Sequence, residues 1–548
     1  MTANFLDRII GYFSPSAAVQ RMEARATLAQ VNALVGTGKG PYAAASLNRL
    51  NLLRNPVVKE NEVSGSRLDY LRAQSWDLYR DNPSCRKIVR SLEAKVIGQR
   101  GMQPESLAEN IDGTPNVEFR ARAKQLWSSL QSGFDSRGLP GKGGLTMSGQ
   151  QKLALRSVIL SGDTLYRMKP INQRDQSRRD LPISLTLQLV DSCRLADDHE
   201  IPLTTLRDGH SLFRGIELNA SNERVAYWIK TVPIWASART PTEATRVPVS
   251  NMGHLYLEED IDQLRGVPWF SSAILRARRT EDLEYNVLTA SAMAACVVAT
   301  YSKPTGATRL GLNQSASDST DLTDTDGNTI SKIQPGMLVN KGKDGSFDLQ
   351  SPNQPNMNPE AFVQHLQRGT ATAVPGIKAS TITGDYRNSS FSSERSADND
   401  TWPELHDVQE WFASSYCQPI WETILRAAML EGYFDGIVST EEFQASPGRF
   451  SAAKWQGPVA LSINPKDDAA AASARISGGL SSPQMECAKV NVNWRDVLND
   501  VAELYAVAKE KGIAPEVINN IMGVDTQDQI AANEAAAPVE TTGVSVNA

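Results

Sequence analysis

An α+β fold is what this 548-residue sequence predicts, and three observations predict it. Apolar residues recur at helical spacing over 65–100 and again from 269 onward. Between 155 and 260 the period drops to two, as in half-buried strands. With 41% apolar and 22% charged residues, the chain has the composition of a globular protein large enough for several cores.

In order along the chain, residues 1–64 carry weak helical patterning, clearest in RMEARATLAQVNAL, and are expected to form an amphipathic N-terminal arm. Asp7 and the lack of a small-residue cleavage site argue against a secretory signal there. Residues 65–100 predict two helices divided at Asn82-Pro83, because proline removes a backbone donor and suits a first helical turn. Leu68, Leu71, Trp76, Leu78 and Tyr79 mark the inner face before the break; Ile88, Val89, Leu92 and Val96 mark it after. This stretch holds eight basic and four acidic residues, and its charges are expected on a solvated helix face.

Strands are expected at GDTLYRMK, SLTLQLVD, VAYWIKT and HLYL, with GIELNASNERVAYWI as a hairpin turning at NASNE. Residues 269–300 predict the longest helix, charged in its first half and rich in alanine in its second, where small side chains allow close helix approach. A strand-and-turn module follows at 302–352, with GNTISKI, GMLVN and SFDLQ as strands; a helix then covers 358–374. The stretch TGDYRNSSFSSERSADNDTW (383–402) is expected as a long polar loop, and Pro419 as a kink in the helix beyond it. Helices resume past Pro465, one capped by Ser482 before Pro483, the last striped by Trp494, Val497, Leu498, Val501, Leu504, Tyr505 and Ala508 and stopped at Gly512.

The charge balance, −6, excludes a protein built to grip duplex DNA tightly, since such grip needs many cations releasing counterions. Five widely spaced cysteines (85, 193, 296, 417, 487) make neither a disulfide framework nor a CxxC zinc site, which fits a reducing compartment. The most membrane-like run, YNVLTASAMAACVVAT, has 16 residues, short of the ~20 strongly apolar ones a bilayer needs.

Catalytic templates fail in turn. GLPGKGG (138–144) and GTGKG (36–40) lack the phosphate-loop spacing. DLTDTDGN with Gly327 at the sixth position of a calcium loop puts Leu322 first and Ile333 twelfth, where carboxylates belong. The histidines (199, 210, 254, 365, 406) show no zinc spacing, and no Gly-x-Ser-x-Gly elbow occurs. The expectation is a non-enzyme with no catalytic residue, cofactor or metal. The rival readings are a DNA-processing enzyme, another structural ring or adaptor of a virion, and a membrane channel.

Four stretches in one order resemble the lambda-type portal proteins of tailed bacteriophages. They are LRAQSWDLYRDNPSCRKIVRSLEAKVIGQRGMQPES; LTLQLVDSCRLAD with the hairpin GIELNASNERVAYWI; YLEEDIDQLRGVPWFSSAILRARRTEDLEYNVLTASAMAACVVATYS; and FVQHLQRGTATAVPGIKASTITGDYRNSSFSSERSADNDTW. In the last, Ser392, Ser393 and Arg395 match a family segment that starts the next helix, with Ser396 where an alanine is usual; in the first, Gln99 and Arg100 separate two glycines that one residue commonly separates.

The resemblance implies a portal fold of wing, stem, clip and crown whose long stem helices line a channel when twelve copies form a ring at a capsid vertex. It implies an N-terminal arm at 1–64, a wing at 65–268, stem helices at 269–301 and 353–374, and a clip at 302–352. It further implies a tunnel loop at 375–395, a wing or backbone helix at 396–455 and a crown at 456–512; beyond it, the composition of 513–548 predicts an acidic, disordered tail. DNA-facing loop residues would be Lys378, Tyr386, Arg387, Asn388, Ser389, Ser390 and Arg395, the last either facing DNA or pairing with a neighbouring subunit. The clip would present Lys303, Arg309, Asp324, Asp326 and Lys332 to the terminase and head–tail adaptor. Implied partners are further copies of the chain, the terminase large subunit, the adaptor, major capsid and scaffold proteins, and passing double-stranded DNA, in a virion assembled in the bacterial cytoplasm.

Overall fold

The computed structural model describes residues 65–196, 201, 205–230, 244–296, 300–301, 322–323, 329–330, 339–340, 359–385, 387, 390–459, 465–489, 492, 494–513 and 517. The arm, most of the 302–352 module including SFDLQ, and the tail from 518 lie outside these residues.

Helices α1 (Gly65–Asp81) and α2 (Pro83–Leu92) part where expected. Asn82 caps α2, its side-chain oxygen accepting from Cys85 N at 2.9 Å. α2 buries Cys85, Ile88, Val89 and Leu92 and widens into a π-turn, Glu93–Ile97, that ends at Gly98. Strand β1 (Gln103–Ser106) leads to α3 (Val117–Ser129) and α4 (Met147–Ser161). The glycine-rich 138–144 segment is a tight turn closed by Asp135, whose carboxylate accepts from Leu145 N and Arg137 N, both at 2.9 Å.

The predicted strands appear in two sheets. In the first, β2 (Asp163–Pro170), followed by the short helix α5 (Gln173–Arg179), runs between β3 (Leu185–Asp191) and β8 (Gly253–Tyr256), antiparallel to both. The second has the order β4 (Ser211–Phe213), β5 (Ile216–Leu218), β6 (Arg224–Lys230) and β7 (Ala244–Pro248). The β5–β6 hairpin turns where NASNE predicts, with Asn219 Oδ1 accepting from Ser221 N and Glu223 N. Alternation along β2 divides its side chains between two cores: Leu165 joins the core of the second sheet, while Tyr166 and Met168 face the main one.

The long helix α6 (Ile274–Cys296) starts later than expected, because Trp269–Ser272 is a 3₁₀ turn. Its start is anchored in the main core through Ile274 and Ala277, whereas Tyr285 and Leu288 are exposed. Of the module beyond, a hairpin pairs β10 (Leu322–Thr323) with β11 (Thr329–Ile330), and β12 (Val339–Asn340) runs parallel to β9 (Thr300–Tyr301). α7 (Pro359–Ala371) packs along α6, where Gly369 leaves room for the Arg276 side chain.

After α8 (Ala379–Thr383) comes α9 (Phe391–Phe412), so the 383–402 stretch is mostly helix rather than one long loop. The cause is a capping box: Ser390 Oγ accepts from Ser393 N, and Ser393 Oγ accepts from Ser390 N. Polar residues after such a box decorate an exposed helix without preventing it. The break expected at Pro419 takes the form of a π-turn at Ala413–Cys417, which leaves Pro419 in the first turn of α10 (Gln418–Leu430). Pro403 is accommodated inside α9.

Short helices α11 (Thr440–Ala445) and α12 (Pro447–Ser451) precede β13 (Ala453–Gln456), which pairs antiparallel with β1. The main core therefore joins early and late segments of the described chain: Phe119 stacks on Phe434 at 4.4 Å, and Trp127 meets Trp421 and Trp455 at 5.7 and 5.6 Å. α13 (Pro465–Ser477), α14 (Pro483–Lys489) and α15 (Trp494–Glu510) follow. In α15 Ala508 is buried, whereas Val497, Leu498 and Leu504 of the expected stripe are exposed.

Arg72 corrects the expectation of a solvated basic face. It is buried, donating to Ser161 O at 2.8 Å and to Asp163 Oδ1 at 2.7 Å. Asp163 also receives Arg265 Nε at 2.6 Å and lies 3.2 Å from His254 Nε2. Burial alone would raise the Asp163 carboxyl, but two guanidiniums and the imidazole outweigh it and hold it well below the usual carboxylate range.

Candidate functional site

The chain between α7 and α9 has a fixed root and an exposed tip. At the root, Val374 and Ile377 are buried, and Gly376, at φ +68°, is pressed so closely onto Leu405 of α9 that a Cβ would collide with it. Gly376 N donates to Glu404 Oε2 at 2.6 Å. Lys378 Nζ lies 2.9 Å from Glu394 Oε2 and 2.7 Å from Asp398 Oδ1, its side chain only 13% exposed. Burial works against the Lys378 ammonium, yet the bonds to Asp398 and Glu394 prevail and raise its pKa. The nearby Lys95 ammonium is pushed down, first by burial and then by the Lys378 charge, with Asp398 opposing.

The tip begins where Gly384, at φ +66°, ends α8. Asp385 and Arg387 form a local pair: Arg387 Nε reaches Asp385 Oδ1 at 2.9 Å and Nη2 reaches Oδ2 at 2.8 Å. That bidentate bond brings the Asp385 carboxyl down to about 2. The Arg387 side chain is 72% exposed, so the tip shows solvent a cation already matched by its own anion. Beside it lies an open groove lined by Pro83, Lys87, Gln364, Gln367, Thr383 and Arg387.

Of the residues expected to face DNA, the structure brings Lys378, Arg387 and Ser390 into this one segment in different settings: an ion-paired root, an exposed self-paired tip, and a helix cap. Arg395 falls in the second turn of α9 rather than in a loop. Tyr386, Asn388 and Ser389 lie outside the described residues, as do Lys303, Arg309, Asp324, Asp326 and Lys332 of the expected clip. Sequence reasoning missed Glu394, Asp398 and Glu404 as partners of the root. Their signal was the four-residue spacing of Glu394 and Asp398, which places both on one helix face.

Residues 48–409 match the family model described as phage portal protein, lambda family. The chain belongs to that family. This portal protein is also similar to a chain in the virion of a native gene transfer agent particle, at 11% identity and a TM-score of 0.35, over 78% of this chain and 93% of that one. A chain from the neck of a native gene transfer agent particle computed with C12 symmetry matches at 12% identity and a TM-score of 0.33, over 76% and 93%. The portal family is structural rather than enzymatic, and its proteins are components of the phage particle. Among the described residues, no helix of this portal protein is long and apolar enough to cross a membrane.

Proposed function

We propose that twelve copies of this portal protein close into a ring at one capsid vertex and form the channel through which DNA is packaged and later ejected. In this reading residues 65–268 and 396–455 make the wing, 269–301 and 353–374 the stem, and 456–512 a crown toward the capsid interior. The 302–352 module is the clip, offering Lys303, Arg309, Asp324, Asp326 and Lys332 to the terminase large subunit and later to the head–tail adaptor. The wing contacts major capsid and scaffold proteins during assembly in the host cytoplasm. The short segment 384–390, together with Arg395 on the helix behind it, meets the passing duplex.

One observation carries the channel reading: a rigidly rooted segment ends in a tip whose cation is neutralised by its neighbour. Unpaired Lys or Arg at this point in each subunit would multiply phosphate contacts around the ring and hold the duplex still. A bidentate Arg–Asp pair on a short tip permits brief contact and release. The test is to replace Asp385–Ser389 with a Gly-Ser segment of equal length. Rings with a central opening are expected end-on in electron micrographs, together with a loss of DNA-filled particles. Normal filling would overturn the reading.

A further inference from the structure

We infer that Lys378 is a positioning residue that clasps the root of the channel segment to α9, its charge satisfied inside the subunit rather than by DNA. The inference rests on the channel reading of 384–390. Three anchors lie along one side of α9 over three helical turns: Glu394 and Asp398 hold the Lys378 ammonium, Glu404 holds Gly376 N, and Leu405 packs against Gly376. Ser380 Oγ adds a contact to Glu394 Oε2 at 3.4 Å. Lys95 approaches from the π-turn, its Nζ 3.4 Å from Gly376 O. The two carboxylates therefore face two cations in a partly buried space, and Lys378 bonds both of them.

The geometry has a mechanical result. A sideways load on the tip passes through Lys378 into α9, a helix of 22 residues whose far end is set in the main core. Gly384 offers a point of bending, since its backbone is in the left-handed region open to glycine and nothing lies near the position a Cβ would occupy. The clasp fixes the angle of the segment, and the tip beyond Gly384 accommodates the duplex.

The test compares Lys378→Met, Lys378→Arg and the double variant Glu394→Gln with Asp398→Asn in the full-length ring, reading amide hydrogen exchange over 376–383 and the yield of DNA-filled particles. Exchange is expected to quicken about tenfold or more in Lys378→Met and in the double variant, since hydrogen bonds to charged groups are lost. Lys378→Arg should largely restore protection, and filling should fall wherever exchange rises. If Lys378 instead serves DNA, Lys378→Met would lower filling with exchange unchanged, and the double variant would fill normally; that result overturns the clasp. Faster exchange in both variants with normal filling would uphold the clasp and overturn the channel reading beneath it.

Discussion

The side-chain amide of Gln409 donates to Lys95 O at 2.9 Å and to Pro458 O at 2.8 Å, so one residue of α9 ties the first π-turn to the chain leaving β13. A π-turn displaces its carbonyls from the regular helical ladder, and Gln409 supplies the missing donor. Gln409→Leu should strand two carbonyls and cost about 1–3 kcal/mol, seen as a lower urea midpoint of the purified protein. An unchanged midpoint would show that water satisfies both carbonyls.

Asp163→Asn should be among the most damaging single changes in the chain. It leaves the guanidiniums of Arg72 and Arg265 buried against a neutral amide, a loss of about 3–5 kcal/mol. Soluble expression and thermal midpoint are the measurements; a shift of under a degree would contradict the assigned network.

His254 gives the protein a pH response. Burial holds its imidazole below the ordinary value of 6.5, although the bond to Asp163 opposes this and Arg265 and Arg224 add to it. Tyr227 and Tyr256 cover the ring. Below pH 6.5 the unfolded chain takes up a proton that the folded one resists, so stability should fall as the pH drops from about 6.5 to 5. Asp163 does not contribute in this window, because its folded and unfolded forms are both ionised there. His254→Gln should flatten the slope of urea midpoint against pH; an equally steep slope would assign the effect to another group.

Gly376 and Gly384 share a left-handed backbone but differ in surroundings. Gly384→Ala should cost only the ~1–2 kcal/mol of that conformation, since open space receives the new methyl group. Gly376→Ala adds a collision with Leu405 and should destabilise more, detaching the root from α9. Thermal midpoints in the reverse order would refute the packing described.

Ser390→Ala removes the oxygen that accepts from Ser393 N and should loosen the first turn of α9 by about 0.5–2 kcal/mol. Faster exchange is expected at the first amides of α9, with the protection of α10 unchanged. Equal loss along both helices would mean that the cap controls more than its own turn.

Much of the fold was legible because local rules and burial agree. Pro83 and Asn82 announced a helix boundary, and the alternation of SLTLQLVD and the NASNE turn announced paired strands. By composition the 383–402 stretch suggests a loop, but the Ser390–Ser393 capping box starts a helix within it, near the family segment that implies a helix start at Ser392–Arg395. Arg72 was misplaced for a different reason: its partner Asp163 is 91 residues away, and a distant counter-charge leaves no periodic mark. The root of the candidate site was half visible. Lys378 stands out as a charge; of the carboxylates that claim it, Asp398 lies in the helix expected from 396, whereas Glu394 lies in the turn before it, which is expected as loop.

The stacking of Phe119 on Phe434 sets a schedule for synthesis. A ribosome adding 5–20 residues per second needs roughly 15–60 s to make the ~300 residues between them. Throughout that interval the apolar side of α3, finished early, has nothing to close against and stays wet. Nascent chains should therefore associate with holding chaperones until translation passes β13, and messages truncated before that point should yield insoluble product.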